Sequence, residues 1–309
     1  MENRKEFYFP SSDGMTQIHA VEWGIAQRPV GVLQIAHGVA EYALRYEPFA
    51  RFMNAHGFIV VANDHLGHGL SVAEGAVPLY FGRHDGWRHV VDDMYALRDM
   101  TGRKYPELPC FLLGHSMGSF LTRTYLIRYP GTLAGAIIMG TGQQPAALVK
   151  SGRLLAKMIG RRIGYDRFSP TVDRLVFGAY NKPFAPNRTD YDWLSADAEN
   201  VDRYIADPLC GGNITVGLLL DMLGGIGFIE KQSNVDTMNP NTPVLFISGD
   251  QDGVGGMGKG VKAAYESFRK AGVRDVSLKL YEGLRHEILN EACRETVYAD
   301  LWSWIEAHL

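Results

Sequence analysis

Two hydrophobic patterns alternate along most of this 309-residue chain. Short runs rich in Val, Ile, Leu and Phe, most of them bounded by Gly, Pro or Asn, predict buried strands. Between them, apolar residues recur at intervals of three and four, which is the period of an amphipathic helix. The predicted core strands are residues 30–36, 58–62, 110–113, 134–139, 244–248 and 277–281.

Two further strands, residues 6–10 and 17–23, open the chain on either side of Ser11-Ser12-Asp13-Gly14. The Asp-Gly pair is typical of a tight hairpin turn, so this pair of strands is predicted to be antiparallel. The later strands alternate with helical stretches, which predicts an α/β protein with a mostly parallel sheet covered by helices on both faces. The helices are expected at residues 45–56, 86–105, 119–129, 260–271 and 291–307.

The alternation stops between residues 143 and 235, where several helices are interrupted by Pro and Gly. We therefore predict a core in two parts, residues 1–142 and 236–309, with a helical cap at 143–235 inserted after the sixth strand. The apolar stretch 213–229 is predicted to line an acyl pocket, and Gly224, Gly225 and Gly227 in it are either hinges or helix-ending glycines. The pocket residues expected there are Ile214, Leu218, Leu219 and Met222.

The first cap helix, residues 146–162, is basic and amphipathic. Its apolar side chains, among them Leu148, Leu154 and Met158, are expected on one side, with lysines and arginines elsewhere. Packing of the apolar side on the core is the preferred interpretation. Transient contact of this helix with an anionic membrane surface is the alternative.

Composition excludes several classes of protein. A net charge of −3 and a pI near 6.4 leave no basic surface for nucleic acid. The chain has no run of eighteen apolar residues, and its first residues do not resemble a signal peptide. Three widely spaced cysteines do not suit a disulfide framework, so a cytoplasmic protein is expected, while its oligomeric state is left open.

Residues 114–118 read Gly-His-Ser-Met-Gly directly after a predicted strand and before a predicted helix. A chain that passes from strand to helix within one tight turn needs small residues at both ends, and it holds the central serine in a strained, exposed conformation. Gly114 and Gly118 meet that need. Ser116 is therefore the predicted nucleophile of a serine hydrolase.

A serine hydroxyl needs a base, and the base needs a carboxylate that fixes its tautomer. Enzymes with this serine turn carry the three groups in the chain order serine, acid, histidine. After Ser116 the chain has only His286, in a loop past a strand, and the penultimate His308, so His286 is the predicted base. Asp250 and Asp252 both follow the strand 244–248. Asp252 is preferred because a longer reach beyond the strand brings the carboxylate toward the histidine, which leaves Asp250 to brace the turn.

Two backbone N–H groups are expected to bind the oxyanion of the tetrahedral intermediate. Met117, the residue after the nucleophile, supplies one. Val39 supplies the other from the turn after the strand 30–36. His37 in the same turn precedes the serine in the chain, so a loop-bracing role is expected for it.

His65 and His68 lie three residues apart beside Asp64, which raises the question of a metal site. We predict no metal there, because the segment is a glycine-rich turn without a rigid scaffold or a further cluster of ligands. No phosphate-binding or dinucleotide-binding glycine motif follows any predicted strand, so no cofactor is expected.

Together these motifs resemble the monoacylglycerol lipase and lysophospholipase-like, serine aminopeptidase S33-type branch of the α/β-hydrolase fold. The resemblance covers about residues 5–142 and 236–309, and Ser119 departs from the glycine that this branch usually has after the serine turn. It implies that Ser116, His286 and Asp252 form the catalytic triad and that Val39 and Met117 supply the oxyanion hole. The cap does not match closely enough to transfer substrate contacts.

The expected function is hydrolysis of carboxylic esters through an acyl-enzyme, on lipid-like monoesters such as monoacylglycerols or lysophospholipids. A carboxylesterase for small esters and a thioesterase use the same triad and remain alternatives. An aminopeptidase needs acidic cap residues to hold an amine, and Asp197, Glu199 and Asp202 are available. A noncatalytic ligand-binding protein with the same fold is the alternative outside the enzymes.

Overall fold

The computed structural model describes residues 4–25 and 28–309, so residues 1–3, 26 and 27 of the predicted core lie outside it. Within the described part, eight strands form one sheet in the order β1-β2-β4-β3-β5-β6-β7-β8. The first two pairings, β1 with β2 and β2 with β4, are antiparallel, and all the others are parallel. The strands are Arg4–Pro10 (β1), Gln17–Trp23 (β2), Gly31–Ala36 (β3), Phe58–Asn63 (β4), Cys110–His115 (β5), Gly135–Met139 (β6), Val244–Gly249 (β7) and Val276–Tyr281 (β8).

Helices cover both faces of this sheet, which is why its central strands are almost wholly apolar. In β5, Phe111 and Leu113 face the core beside α1 and α10, whereas Cys110 and Leu112 face the core beside α2, α3 and α9. The helices are Glu47–Ala55 (α1), Gly86–Lys104 (α2), Met117–Arg128 (α3), Ala146–Ile163 (α4), Pro170–Val176 (α5), Ala198–Ala206 (α6), Val216–Ile229 (α7), Gln232–Val235 (α8), Lys259–Lys270 (α9) and Arg294–Glu306 (α10). The predicted fold class is confirmed, and α4 to α8 lie between β6 and β7 in the chain.

The parallel strands bring the loops of interest to one edge of the sheet. Ala36 at the end of β3 pairs with Gly114 near the end of β5, and His115 pairs with Met139 at the end of β6. On the other side of β6, Gly249 at the end of β7 pairs with Tyr281 at the end of β8. The loops that follow these strands therefore start side by side, as expected for ligand sites of α/β sheets.

The structure confirms one prediction of local structure and corrects another. Strands β1 and β2 pair antiparallel as predicted, and they are joined by residues 11–16, where Asp13 Oδ1 accepts the N–H groups of Met15 and Thr16, both at 2.8 Å. Gly225 lies inside α7, where a Cβ would overlap the ring of Trp87. It therefore allows close packing of α7 against α2 rather than acting as a hinge or a helix end.

Helix α4 packs differently from the expectation. Its buried positions are Val149, Ala156 and Gly160, which lie on the side that meets α7. Leu148, Leu154 and Met158 are 56%, 61% and 53% exposed instead of packed on the core. Small residues let two helices approach closely, so Val149, Ala156 and Gly160, with partly buried Ile159, make the contact rather than Leu148, Leu154 and Met158.

Across residues 4–25 and 28–309, no helix is both long enough and apolar enough to cross a membrane.

Candidate active site

Ser116 occupies a sharp turn between β5 and α3. Its backbone has φ 54° and ψ −119°, a left-handed conformation that a serine adopts only under constraint from its surroundings. The constraint is steric, because a Cβ at Gly114 would overlap the Gly118 carbonyl and a Cβ at Gly118 would overlap the Ala36 carbonyl. The hydroxyl of buried Ser119 donates to the Ser116 carbonyl at 2.5 Å and so braces the same turn.

His286 and Asp252 form a buried pair beside this turn. His286 Nδ1 lies 2.9 Å from Asp252 Oδ2, and that oxygen also accepts the Ser248 hydroxyl at 3.0 Å, while Oδ1 accepts the Val254 N–H at 2.8 Å. Burial by itself raises the pKa of the Asp252 carboxyl, but His286 and these hydrogen bonds outweigh it and hold that pKa below its usual range. A charged Asp252 therefore faces Nδ1 and requires a proton on that nitrogen.

The opposite ring nitrogen, Nε2, is buried and has no hydrogen-bond partner among the residues that the structure describes. His286 and Ser116 line the same cavity. Gly140, at the end of β6 with φ +62°, leaves room for the ring, since a Cβ there would lie 3.1 Å from His286 Cε1. Asp250 serves the same loop differently, because its Oδ1 accepts the Gly283 N–H at 2.8 Å.

Val39 and Met117 also line this cavity. Met117 is the first residue of α3, so its N–H points out of the helix N-terminus, where partial positive charge favours an anion. The loop after β3 passes close by, because a Cβ at Gly38 would lie 3.1 Å from Ser116 Cβ.

The histidines near this loop pack against one another. His37 Nε2 accepts the His65 N–H at 2.8 Å, so Nδ1 carries the proton and donates to the Gly38 carbonyl at 2.7 Å. Burial lowers the pKa of His37, and it lowers that of His68 to about 3. Within the described ranges, no group of three or more His, Cys, Asp or Glu side chains is placed to hold a metal ion.

The cavity has a volume of about 680 Å³, within the usual range for small-molecule sites. Met222 of α7 lines it, whereas Ile214, Leu218 and Leu219 are buried in the core and are not part of its lining. Helix α7 is apolar apart from Asp221 and packs between α2, α3 and α4, so most of its side chains are used for packing rather than for the cavity.

The cap acids Asp197, Glu199 and Asp202 do not line the cavity either. Asp197 accepts the Glu199 N–H at the start of α6, and Asp202 pairs with Arg188 at 2.7 Å. Asp173 and Asp190 lie on the cavity wall in their place.

Two contacts to the loop that carries His286 are not indicated by any pattern in the sequence. The Trp193 ring lies 5.2 Å from the His286 ring, between centroids, and the Leu194 carbonyl accepts the Glu287 N–H at 2.7 Å. Both residues stand about ninety positions before the loop that they touch. Pairing over such a distance depends on the fold rather than on a local pattern.

The sequence matches the family described as Serine aminopeptidase, S33 over residues 27–292. The chain belongs to this family. Its relatives include a monoacylglycerol lipase of Mycolicibacterium smegmatis, 30% identical over 99% of this chain and 98% of the relative. A monoglyceride lipase of Homo sapiens is 28% identical over 92% of this chain and 84% of the relative.

Among solved structures, a thermostable carboxyl esterase from Bacillus coagulans, in complex with glycerol, is 28% identical and superposes with a TM-score of 0.92 over 99% of each chain. The predicted resemblance to the S33 branch of the α/β-hydrolases is confirmed, and the protein is a serine ester hydrolase of this family.

Proposed function

We propose that this S33 hydrolase cleaves lipid-like monoesters through a Ser116–His286–Asp252 triad, with residues 143–235 as the cap over the site. The observation that carries the proposal is the buried His286–Asp252 pair at 2.9 Å, whose Nε2 is unpartnered in the described structure and whose ring shares a cavity with the strained Ser116. The odd number of widely spaced cysteines favours a reducing, cytoplasmic setting.

In this mechanism, Nε2 of neutral His286 takes the Ser116 proton while Oγ attacks the ester carbonyl carbon. The N–H groups of Val39 and Met117 bind the oxyanion, and the loss of one such donor costs about 3 kcal/mol of transition-state stabilisation. His286 then gives its proton to the departing alkoxide, which leaves the acyl group on Ser116. Water, deprotonated by the same nitrogen, releases the acid and restores the serine.

The substrate class is inferred from the two kinds of cavity wall. Apolar side chains line the cavity, among them Phe120, Met222 and Val254, and polar side chains such as Asp173 and Asn181 of the cap line it as well. Such a cavity suits one acyl chain joined to a polar head group. Relatives described as monoacylglycerol lipases, and a similar esterase that binds glycerol, support the same class.

A fluorophosphonate probe tests the chemistry. Stoichiometric phosphonylation of Ser116, abolished in Ser116→Ala, is expected for the proposed nucleophile. A folded protein that stays unlabelled under these conditions would favour a ligand-binding role instead. Hydrolysis that is lost with a chelator and recovered with zinc would contradict the triad mechanism.

A chain-length series of p-nitrophenyl and 1-monoacylglycerol esters tests the substrate class. Each further methylene that enters the apolar part adds up to about 0.8 kcal/mol, about fourfold in kcat/KM, until the cavity is full. Met222→Trp fills that space, so kcat/KM should level off at a shorter chain, whereas Met100→Trp, at an exposed position of α2, serves as the control. An equal loss across the series, acetate included, would show that Met222 supports the fold rather than the acyl chain. A preference for small esters or thioesters would favour those alternatives.

We also propose that α4 touches an anionic membrane surface. The exposed Leu148, Leu154 and Met158 occur among five lysines and arginines, and residues 146–163 contain no acid. Apolar side chains that enter the headgroup region beside basic ones are typical of interfacial helices. Cosedimentation with phosphatidylglycerol vesicles should exceed that with phosphatidylcholine vesicles and should fall in the Leu154→Ser/Met158→Ser variant. Leu209→Ser, at another exposed leucine, should bind like the wild type, and equal binding by both variants would refute the role of α4.

A further inference from the structure

The three loops that carry the proposed catalytic groups meet on one buried cluster of ionisable side chains. Glu41 comes from the loop after β3, His115 precedes the nucleophile, and Glu287 follows the base. Arg45 joins the two acids, since its guanidinium donates to Glu41 at 2.6 Å and to both oxygens of Glu287 at 2.7 and 2.9 Å. This group of four residues is called the loop cluster below.

Both acids of the loop cluster are charged. Burial raises the pKa of each carboxyl, but Arg45, with His115, outweighs burial and holds the pKa of Glu41 well below its usual range and that of Glu287 below it. Two buried carboxylates and one guanidinium leave one negative charge without compensation. Buried charges are costly unless they are paired, so the cluster needs a second cation.

The hydrogen bonds of His115 supply it. Its Nδ1 lies 3.1 Å from Glu41 Oε1 and 3.0 Å from the Tyr46 hydroxyl oxygen. That hydroxyl donates its single hydrogen to Glu41 at 2.9 Å, so it accepts from Nδ1. At the other side of the ring, Nε2 lies 3.3 Å from the His286 carbonyl oxygen, which only accepts.

Either neutral tautomer leaves one ring lone pair facing an acceptor. Without a proton on Nδ1, the lone pair faces the Glu41 carboxylate, and without a proton on Nε2 it faces a carbonyl oxygen. Only the doubly protonated ring donates at both positions. The structure assigns His115 as a buried imidazolium that positions the oxyanion loop and the base loop on the nucleophile turn.

The positioning follows from the partners of this ring. Glu41 Oε1, bound to His115, also accepts the N–H of Gly38 at 2.5 Å, and Gly38 directly precedes the proposed oxyanion donor Val39. The His286 carbonyl holds the other end. The His115 and His286 rings are 4.7 Å apart between centroids, so a charged His115 places a positive charge beside the ring of the proposed base.

Charged and titratable groups face His115 from every loop packed against it. Glu41, Arg45 and Tyr46 lie on the side of β3, Glu287 and His286 on the side of β8, and Asp252 after β7, and buried His37 lies near the same loop. Burial lowers the pKa of His115, but the acids, Glu41 first, outweigh it and raise that pKa above its ordinary value.

Histidine-selective ¹⁵N NMR tests the assignment directly. The signals lost in His115→Gln identify this ring, and both of its nitrogens should be in the protonated range at neutral pH. One nitrogen in the unprotonated range at neutral pH would overturn the proposal. In Glu41→Gln, which tests the point even if His115→Gln does not fold, the ring should lose a proton at a lower pH than in the wild type.

The positioning role rests on the proposed function and has its own readout. In His115→Gln, the acid limb of the kcat/KM profile should move to higher pH with little change in KM, because a cation next to the His286 ring has been removed. His56→Gln, at the end of α1 and outside the site, should leave the profile unchanged. An acid limb that does not move in His115→Gln would refute the positioning role. The NMR result stands even for a protein without esterase activity, so failure of the proposed function is distinguished from failure of this inference.

Discussion

Replacing Asp252 by Asn gives the sharpest test of the proposed triad. The Asn amide oxygen can still accept the hydrogen bond from the Val254 N–H. The amide nitrogen then lies where Oδ2 is now, 2.9 Å from His286 Nδ1. An N–H at that place donates to Nδ1 and so moves the imidazole proton to Nε2. That nitrogen can then no longer accept the proton of Ser116.

The size of the effect follows from the distance. A carboxylate 2.9 Å from an imidazolium contributes about 6 kcal/mol at an effective dielectric constant of about 20, and the transition state loses this attraction in the variant. A loss of that size corresponds to about 10⁴-fold in kcat. KM should change little, because Asp252 is fully buried and is not part of the cavity lining.

Asp250→Asn is the matched control, two residues away in the same loop. An amide oxygen can accept the Gly283 N–H as the carboxylate does, so kcat should stay within about threefold of the wild type. The assay is p-nitrophenyl butyrate hydrolysis, with circular dichroism and urea unfolding to establish that both variants fold. A larger loss in Asp250→Asn, or more than a tenth of wild-type kcat in Asp252→Asn, would refute the reasoning.

Two further predictions concern burial and backbone. Burial raises the pKa of Asp93 to about 6, despite hydrogen bonds from Ser11 and Ser12. Its ionisation therefore costs the folded state about 3 kcal/mol, and about 2 kcal/mol of folding stability is lost as pH rises from 4.5 to 7.5. In urea unfolding, the free energy of unfolding of Asp93→Asn relative to the wild type should therefore be higher at pH 7.5 than at pH 4.5. Asp99→Asn, on the same helix, should show no such difference. Gly140→Ala should lower kcat at least tenfold, because its Cβ meets the His286 ring, while Gly272→Ala, with φ +81° but open space around it, should lose stability alone. Equal kcat in the two alanine variants would contradict that contact.

The sequence by itself determined the elements that local patterns encode. Strands buried on both faces must be apolar throughout, and the predicted strand 110–113 is observed as Cys110–His115 for that reason. The serine turn could be recognised because close backbone contacts leave no space for a Cβ at Gly114 and Gly118. The order of the loops along the chain and the parallel class of the sheet then made Ser116, His286 and Asp252 candidates for one site.

Only the tertiary structure decided which faces and charges meet. The helical period of α4 did not by itself show that this helix packs through Val149, Ala156 and Gly160. Its partner α7 is apolar around most of its circumference, so the sequence of α7 does not indicate which side of α4 it meets. For the same reason, the sequence of α7 did not show that Met222 lines the cavity while Leu218 and Leu219 do not. The loop cluster joins residues up to 246 positions apart, Glu41 to Glu287, and the protonation of a buried side chain such as His115 depends on those distant partners. Local sequence indicates which segments form strands and helices, whereas the neighbours of each side chain are a property of the packed fold.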